Sequence, residues 1–256
     1  AIEQRGEAID LPGMPTREPA FGLPAAWIEE DYREEASFRG LTIVDPATVL
    51  TTHLTEILKE HMPELLSYAE TKKLIDDLPA ETKKLADDLI PQQVSMATVQ
   101  RVLQTLLSER VSIRDLPTIL EGIAETAGRA HTAMLMTEHV RTRLARQISR
   151  AQINAKGVLP LIALSPQWEQ AFGDSIIGQG EERQLAMAPS KLQEFISVVR
   201  RAFDGASMEG ETPVLLTSPA VLPFVRSLVE RFRPTTFVMS QAEVHASAKL
   251  KSMGQI

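Results

Sequence analysis

Apolar positions in this chain follow different rhythms in different stretches, and the rhythm says which element each stretch forms. Residues 1–20 are polar and proline-bearing and read as loop with room for one short strand. Residues 25–28 read as a strand, 31–39 as a short helix stopped by Gly40, and 41–44 as a second strand. From Pro46 the period turns helical, with Val49, Leu50, Leu54, Ile57 and Leu58 on one face. Asp45 suits the N-cap, and Pro46 suits the first helical position, where its missing N–H costs nothing. Pro63 is expected to stop this helix.

Residues 64–150 read as all helical. Thr71-Lys72-Lys73-Leu74-Ile75-Asp76-Asp77-Leu78 returns eleven residues later as Thr82-Lys83-Lys84-Leu85-Ala86-Asp87-Asp88-Leu89, and each copy is followed by a proline. Two short amphipathic helices result. Ser95 caps a helix carrying Val99, Val102, Leu103, Leu106 and Leu107. Helices over 114–127 and 132–150 follow. After Lys156 the period changes again. Strands are expected at 159–164, 213–217 and 236–240, with helices at 190–203 and 218–232. The last strand–helix–strand run is a βαβ unit with parallel strands. The tail, 248–256, is a final strand or unstructured. The pattern predicts an α+β chain of several subdomains: a small mixed α/β N-terminal part, an all-α middle and a small α/β C-terminal subdomain. Residues 151–157, polar and ending in Gly157, are expected to form a hinge between the last two.

The stretch 18–55 stands out. Phe21 and Trp27 lie beside Gly22, Pro19 and Pro24, and the two prolines fix φ and remove two donors. A stiff turn carrying Phe21 results, with Gly22 allowing the reversal. On the following helix Thr48, Thr51, Thr52 and Thr55 lie opposite the apolar stripe, and no charged residue occurs between Asp45 and Glu56. A hydroxyl-lined face is either covered by something or bonded to its own backbone.

Composition narrows the chemistry. The 256 residues suffice for two or more small domains, and 43% hydrophobic with 24% charged residues is an ordinary globular mix. A net charge of −7 argues against a general nucleic-acid or anionic-membrane binder and gives copies of the chain no strong mutual attraction. With no cysteine, disulfides, thiolate metal sites and cysteine nucleophiles are excluded. No apolar run reaches the roughly 20 residues of a membrane span.

Catalytic signatures are missing: no Gly-x-Ser-x-Gly, no His-Glu-x-x-His, no phosphate-binding Gly-x-x-x-x-Gly-Lys. Gly178-Gln179-Gly180-Glu181-Glu182-Arg183 is part of a dinucleotide fingerprint, but it lacks the third glycine and puts two acids where a pyrophosphate needs positive potential. His53 and His61, like His131 and His139, are eight residues apart, too far to share an ion, so no metal is expected. Arg141, Arg143, Arg146 and Arg150 read as a basic helix end suited to the helix dipole. A small-molecule crevice is conceivable at the strand ends near Ser218 and Ser240.

The blocks EPAFGLPAAWI (18–28) and TIVDPATVLTTHLTEIL (42–58) resemble the cytoplasmic part of the export-gate proteins of flagellar type III secretion, the FHIPEP family. VSIRDLPTILE (111–121) and VRTRLARQI (140–148) extend the resemblance. It implies a non-enzymatic docking platform beneath the export channel, without cofactor. Partners would be flagellar export chaperones with their substrates, other export-apparatus proteins and copies of itself in a nonameric ring. Membrane-spanning segments and part of a first subdomain would lie upstream. Residues 1–45 would be the second subdomain, 46–77 the remaining helical part of the first with a connector, 78–150 the third, and 151–256 the fourth. The family's docking pocket carries over to Glu18, Phe21 and Thr52, with Leu23, Trp27 and Val49 packed beneath; Glu18 stands where relatives commonly have Asp. A virulence-injectisome relative and a small-molecule-binding regulatory α/β domain are the alternative readings.

Overall fold

The computed structural model describes residues 1–3, 8–128, 132–178 and 183–256, which cluster into two compact units, Ala1–Leu65 and Leu66–Ile256. In the first, Met14–Arg17 (β1) and Pro24–Trp27 (β2) pair antiparallel, Met14 opposite Trp27 and Arg17 opposite Pro24. Gly13 is required just before β1: a Cβ there would stand 2.4 Å from the Trp27 carbonyl oxygen. Ile2 bridges both Ala25 and Thr42. The strand expected at 41–44 is reduced to that bridge, because among the described residues only Ile2 pairs with it, through N–H···O bonds of 2.8 and 2.9 Å. A 3₁₀ turn, Glu30–Tyr32, leads into Arg33–Phe38 (α1), which stops at Gly40 with φ +78°.

Pro46–Leu65 (α2) begins as its sequence dictates: Asp45 accepts the Thr48 N–H at 2.8 Å and the Thr48 hydroxyl at 2.9 Å. It runs on through Pro63 instead of ending before it. In the last turn a proline forfeits only its own N–H bond, and the chain completes the turn. No α2 side chain is buried, and Leu50, Leu54, Ile57, Leu58, Met62 and Leu65 are all exposed.

The second unit opens with Tyr68–Asp76 (α3) and Ala80–Leu89 (α4), the two copies of the repeat. Ile75, Ala86 and Leu89 are buried and Leu74, Leu78 and Leu85 pack against the same core, so the repeat encodes two inward faces. Met96–Ser108 (α5), Leu116–Thr126 (α6) and Ala133–Arg143 (α7) are capped by Ser95, Asp115 and Thr132, each accepting a backbone N–H. At Gly122 a Cβ would sit 3.0 Å from Val140 Cγ2, so glycine sets how closely α6 and α7 approach. The single helix expected over 132–150 is broken at Leu144, and Ala145–Ala151 (α8) follows. Val140, Leu144 and Ile148, spaced four apart, still face one core across the break.

Leu159–Ala163 (β3), Val214–Thr217 (β6), Val238–Ser240 (β7) and Leu250–Gln255 (β8) form a parallel sheet in the order β7-β6-β3-β8. The tail is therefore a strand. Pro166–Ser175 (α9) and the hairpin of Ile176–Ile177 (β4) with Gln184–Leu185 (β5) are unanticipated. Pro189–Met208 (α10) outruns its expected range, and Leu222–Glu230 (α11) completes the βαβ unit. α11 starts four residues later than expected, and Glu169 holds the preceding Ser218: Oε1 takes its N–H at 2.6 Å and Oε2 its hydroxyl at 2.5 Å.

One apolar core joins the helices to Leu159, Leu161, Val214 and Met239. The hinge expected at 151–157 is thus not what the structure shows. Asn154 binds the Val158 carbonyl through its N–H, accepts the Lys156 and Val158 N–H groups, and donates to Glu211 at 3.0 Å.

Arg141 reinforces that union. It is 1% exposed and reaches Glu243 at 2.9 and 2.6 Å, the Val238 carbonyl at 3.2 Å, and Glu109. Burial alone pulls its pKa down; the bonds and charges of Glu243 and Glu109 outweigh that and raise it. Arg226 makes a second ion pair with Glu109. The dipole reading of the arginine cluster fails for Arg141, whose charge is consumed by acids 32 and 102 residues away. Arg143, Arg146 and Arg150 are exposed.

Glu211, buried, is the corresponding acid. Lys251 and Lys156 reach it at 2.9 Å each and, with Asn154, hold its carboxyl at about 2, against an ordinary value of 4.5. Because the folded value lies below the unfolded one, the stabilisation is complete above 4.5 and is lost as pH falls towards 2. In urea unfolding, the stability gap between wild type and Glu211→Gln is expected to close over that pH window. A gap that stays constant with pH would rule out the ionised cluster as its source.

Candidate partner-docking site

The turn joining β1 to β2 is built around Glu18. Its carboxylate is 5% exposed, and its two oxygens accept the Ala20 N–H at 2.8 Å and the Phe21 N–H at 2.7 Å. Such charge-assisted bonds are about twice as strong as neutral ones. The Glu18 N–H bonds the Leu23 carbonyl, the Gly22 N–H bonds the Glu18 carbonyl, and Arg17 donates to the Gly22 carbonyl at 2.8 Å. Gly22 has φ +70°, and a Cβ there would meet nothing within 4 Å, so the backbone angle, not crowding, demands glycine. The outcome is that Phe21 is 52% exposed on a turn with its backbone fixed.

On α2 the hydroxyls divide. Thr51 Oγ1 donates to the Ala47 carbonyl at 2.8 Å, Thr55 Oγ1 to the Thr51 carbonyl at 2.7 Å, and Thr48 Oγ1 to Asp45. For Thr51 and Thr55 the backbone-bonded reading of the threonine face is right, whereas Thr48 bonds the capping carboxylate instead. Thr52, half-buried, makes no side-chain hydrogen bond among the described residues.

Leu23 and Val49 are half-buried, and Trp27 is 47% exposed. Trp27 and Val49 line an apolar cleft of about 420 Å³ together with Ile2, Ala26, Val44, Pro46 and Leu50. Glu18 and Phe21 are brought together by direct bonds, and Trp27 and Val49 by the cleft; Glu18, Phe21, Leu23 and Thr52 do not line that cleft. The α2 stripe extends, still exposed, through Met62 to Leu65, the last of these hidden in the sequence because Pro63 predicts the end of the helix.

The other candidate chemistry resolves differently. At the strand ends, Glu169 occupies Ser218, and Glu243 accepts the Ser240 N–H at 3.3 Å, so the protein's own carboxylates fill the positions a ligand anion would take. His139 contacts Glu125 at 2.7 Å, and His245 contacts Ser247 at 2.7 Å. Among the described residues no three His, Asp or Glu side chains cluster as metal ligands, and no helix is long and apolar enough to cross a membrane. His131 and most of the 178–183 glycine motif lie outside the described residues.

Comparison with known proteins agrees with this architecture. The flagellar biosynthesis protein FlhA of Caulobacter vibrioides is 59% identical over 255 residues; the match takes in all of this chain and 36% of that protein. The chain therefore spans about a third of the relative's length. The Chlamydia pneumoniae CdsV structure superimposes with a TM-score of 0.80 at 26% identity, over 96% of this chain and 71% of that one. A nonameric SctV-C structure also gives 0.80, at 21% identity, over 97% and 74%, and shares the fold. The FHIPEP family model matches residues 1–249, and the chain belongs to that family.

Proposed function

We propose that this chain is the docking platform of a flagellar type III export gate. It receives export chaperones loaded with their substrates and helps to order their export. The observation that carries this reading is Phe21, 52% exposed on a turn whose backbone is already fixed; Thr52 is, separately, the α2 threonine whose hydroxyl has no hydrogen bond among the described residues. Phe21 supplies an apolar anchor for a partner helix, and an aromatic presented at low ordering cost is the usual kind of hot spot. The Thr52 hydroxyl supplies orientation. Glu18 acts through the turn, since both of its oxygens are already engaged with the backbone. Leu23, Trp27 and Val49 support the surface. The work is recognition, with no bond-making chemistry and no cofactor.

In this reading the chain is the cytoplasmic domain of a bacterial inner-membrane protein, tethered through segments outside it. It meets other export-apparatus proteins and copies of itself. The nonameric SctV-C assembly supports a ring, though through the fold alone. Identity of 59% to a flagellar protein, against 26% to CdsV, favours the flagellar reading over the injectisome. The engaged strand ends disfavour a small-molecule domain.

Thr52→Val tests the site. It keeps the shape and removes the hydroxyl, so the melting temperature should hold while affinity for a chaperone–substrate complex falls by about five- to tenfold, the worth of one hydrogen bond. Calorimetric titration of flagellar chaperone–substrate complexes reads this directly. Unchanged affinity would remove Thr52 from the docking surface, and no binding by the wild type would remove the platform.

A further inference from the structure

A second cleft, of about 410 Å³, lies in the Leu66–Ile256 unit between the start of α7, β5, α10 and α11. Its apolar lining comes from Leu185, Leu192, Pro223, Phe224 and Leu228. Two arginines complete it, Arg183 and Arg231, and no acid lines it among the described residues. Arg183 is held in place: its guanidinium lies 5.2 Å over the Phe224 ring and donates to the Ala220 carbonyl at 3.2 Å. The Arg231 side chain is exposed and makes no ion pair among the described residues.

Helix α11 sorts its charges. Arg226 and Glu230 face a separate small cleft beside Glu109, whereas Ser227 and Leu228, with Arg231 just past the helix end, face this one. Glu138 on α7 lies within electrostatic reach of Arg183 but does not line the cleft. In a chain of net charge −7, a cleft lined by two cations and, among the described residues, no acid is complementary to an acidic partner.

We infer that this cleft docks an acidic amphipathic helical segment of a partner protein, its apolar side chains entering between Leu185, Leu192 and Leu228 and its carboxylates meeting Arg183 and Arg231. Apart from buried Phe224, the lining residues are half-buried or exposed. An open cleft of that kind does not enclose a small molecule as a ligand pocket does, by burying some 70–90% of it. It suits a helix that brings its own surface to cover the rest.

The test uses the whole chain and a synthetic acidic amphipathic peptide of leucine and glutamate at helical spacing, with a scrambled peptide of the same composition. Amide resonances of residues 184–192 and 223–231 should shift with the first peptide and not with the second. Arg231→Glu, at an exposed side chain with no ion pair among the described residues, should weaken binding by about tenfold or more by turning attraction into repulsion. Ser227→Trp should block the cleft. Phe21→Ala should leave this binding unchanged, which separates the cleft from the proposed chaperone surface. No shifts at millimolar peptide, equal binding of the scrambled peptide, or wild-type affinity in both cleft variants would each overturn the assignment. Shifts produced by a medium-chain fatty acid but not by the peptide would overturn it too, in favour of a small amphiphile.

Discussion

Phe21→Ala should lower affinity for a chaperone–substrate complex by about thirtyfold, some 2 kcal/mol, and leave the melting temperature nearly where it was. The two halves of that result come from one geometry. A core phenylalanine lost to alanine costs about 3–5 kcal/mol of stability. Phe21 is 52% exposed, and its turn is held by the Glu18 carboxylate and the Gly22 backbone, neither of which needs the ring. The same rigidity limits what is lost on docking, since the backbone that carries the ring does not have to be ordered when the partner arrives. Melting temperature and affinity must be measured on the same preparation. A drop of many degrees, with binding falling only in proportion to unfolding, would make Phe21 a core residue. If neither changes, the partner docks elsewhere.

Arg141→Met should destabilise the Leu66–Ile256 unit by about 3–5 kcal/mol, the cost of leaving buried acids without their cation. Glu243 is 1% exposed and would keep only the Ser240 N–H for its charge, while Glu109 would retain Arg226. The double variant Arg141→Met with Glu243→Gln should recover part of the loss, because it removes the stranded charge as well. Arg143→Ala is the control: its pairs with Glu121 at 2.9 Å and Glu125 at 3.7 Å are at the surface and should contribute no more than about 1 kcal/mol. Urea midpoints for the four proteins decide the matter. A loss under about 1 kcal/mol for Arg141→Met would mean that the ion cluster is not what joins the helices to the sheet.

The contrast between these arginines shows where reading the chain by itself stops. Arg141 and Arg143 are two residues apart on one helix and look alike in a sequence. One is fully buried and the other exposed, because Glu109 and Glu243 converge on the first from outside its helix. Likewise four threonines look alike on α2, and only the structure separates Thr52, by its bonds and its burial, from the other three. The family resemblance puts Glu18 on a pocket rim as a polar contact, whereas its carboxylate bonds run into its own turn, three residues away at most.

What the sequence determined by itself is what short-range chemistry determines. Caps at Asp45, Ser95, Asp115 and Thr132, the stop at Gly40, the inward faces of the 71–89 repeat and the parallel βαβ unit all depend on residues within a few positions or on one strong period. So does the stiff Phe21 turn, and so does family membership, which rests on local blocks. The tertiary structure alone decided what depends on distant partners. It broke the helix at Leu144, started α11 only at Leu222, and closed the expected hinge with a core shared across residues 151–157. It also left the α2 stripe exposed. Periodicity can mark a face as apolar, but burial is a property of whatever packs against that face, and that is specified elsewhere in the chain or in another molecule.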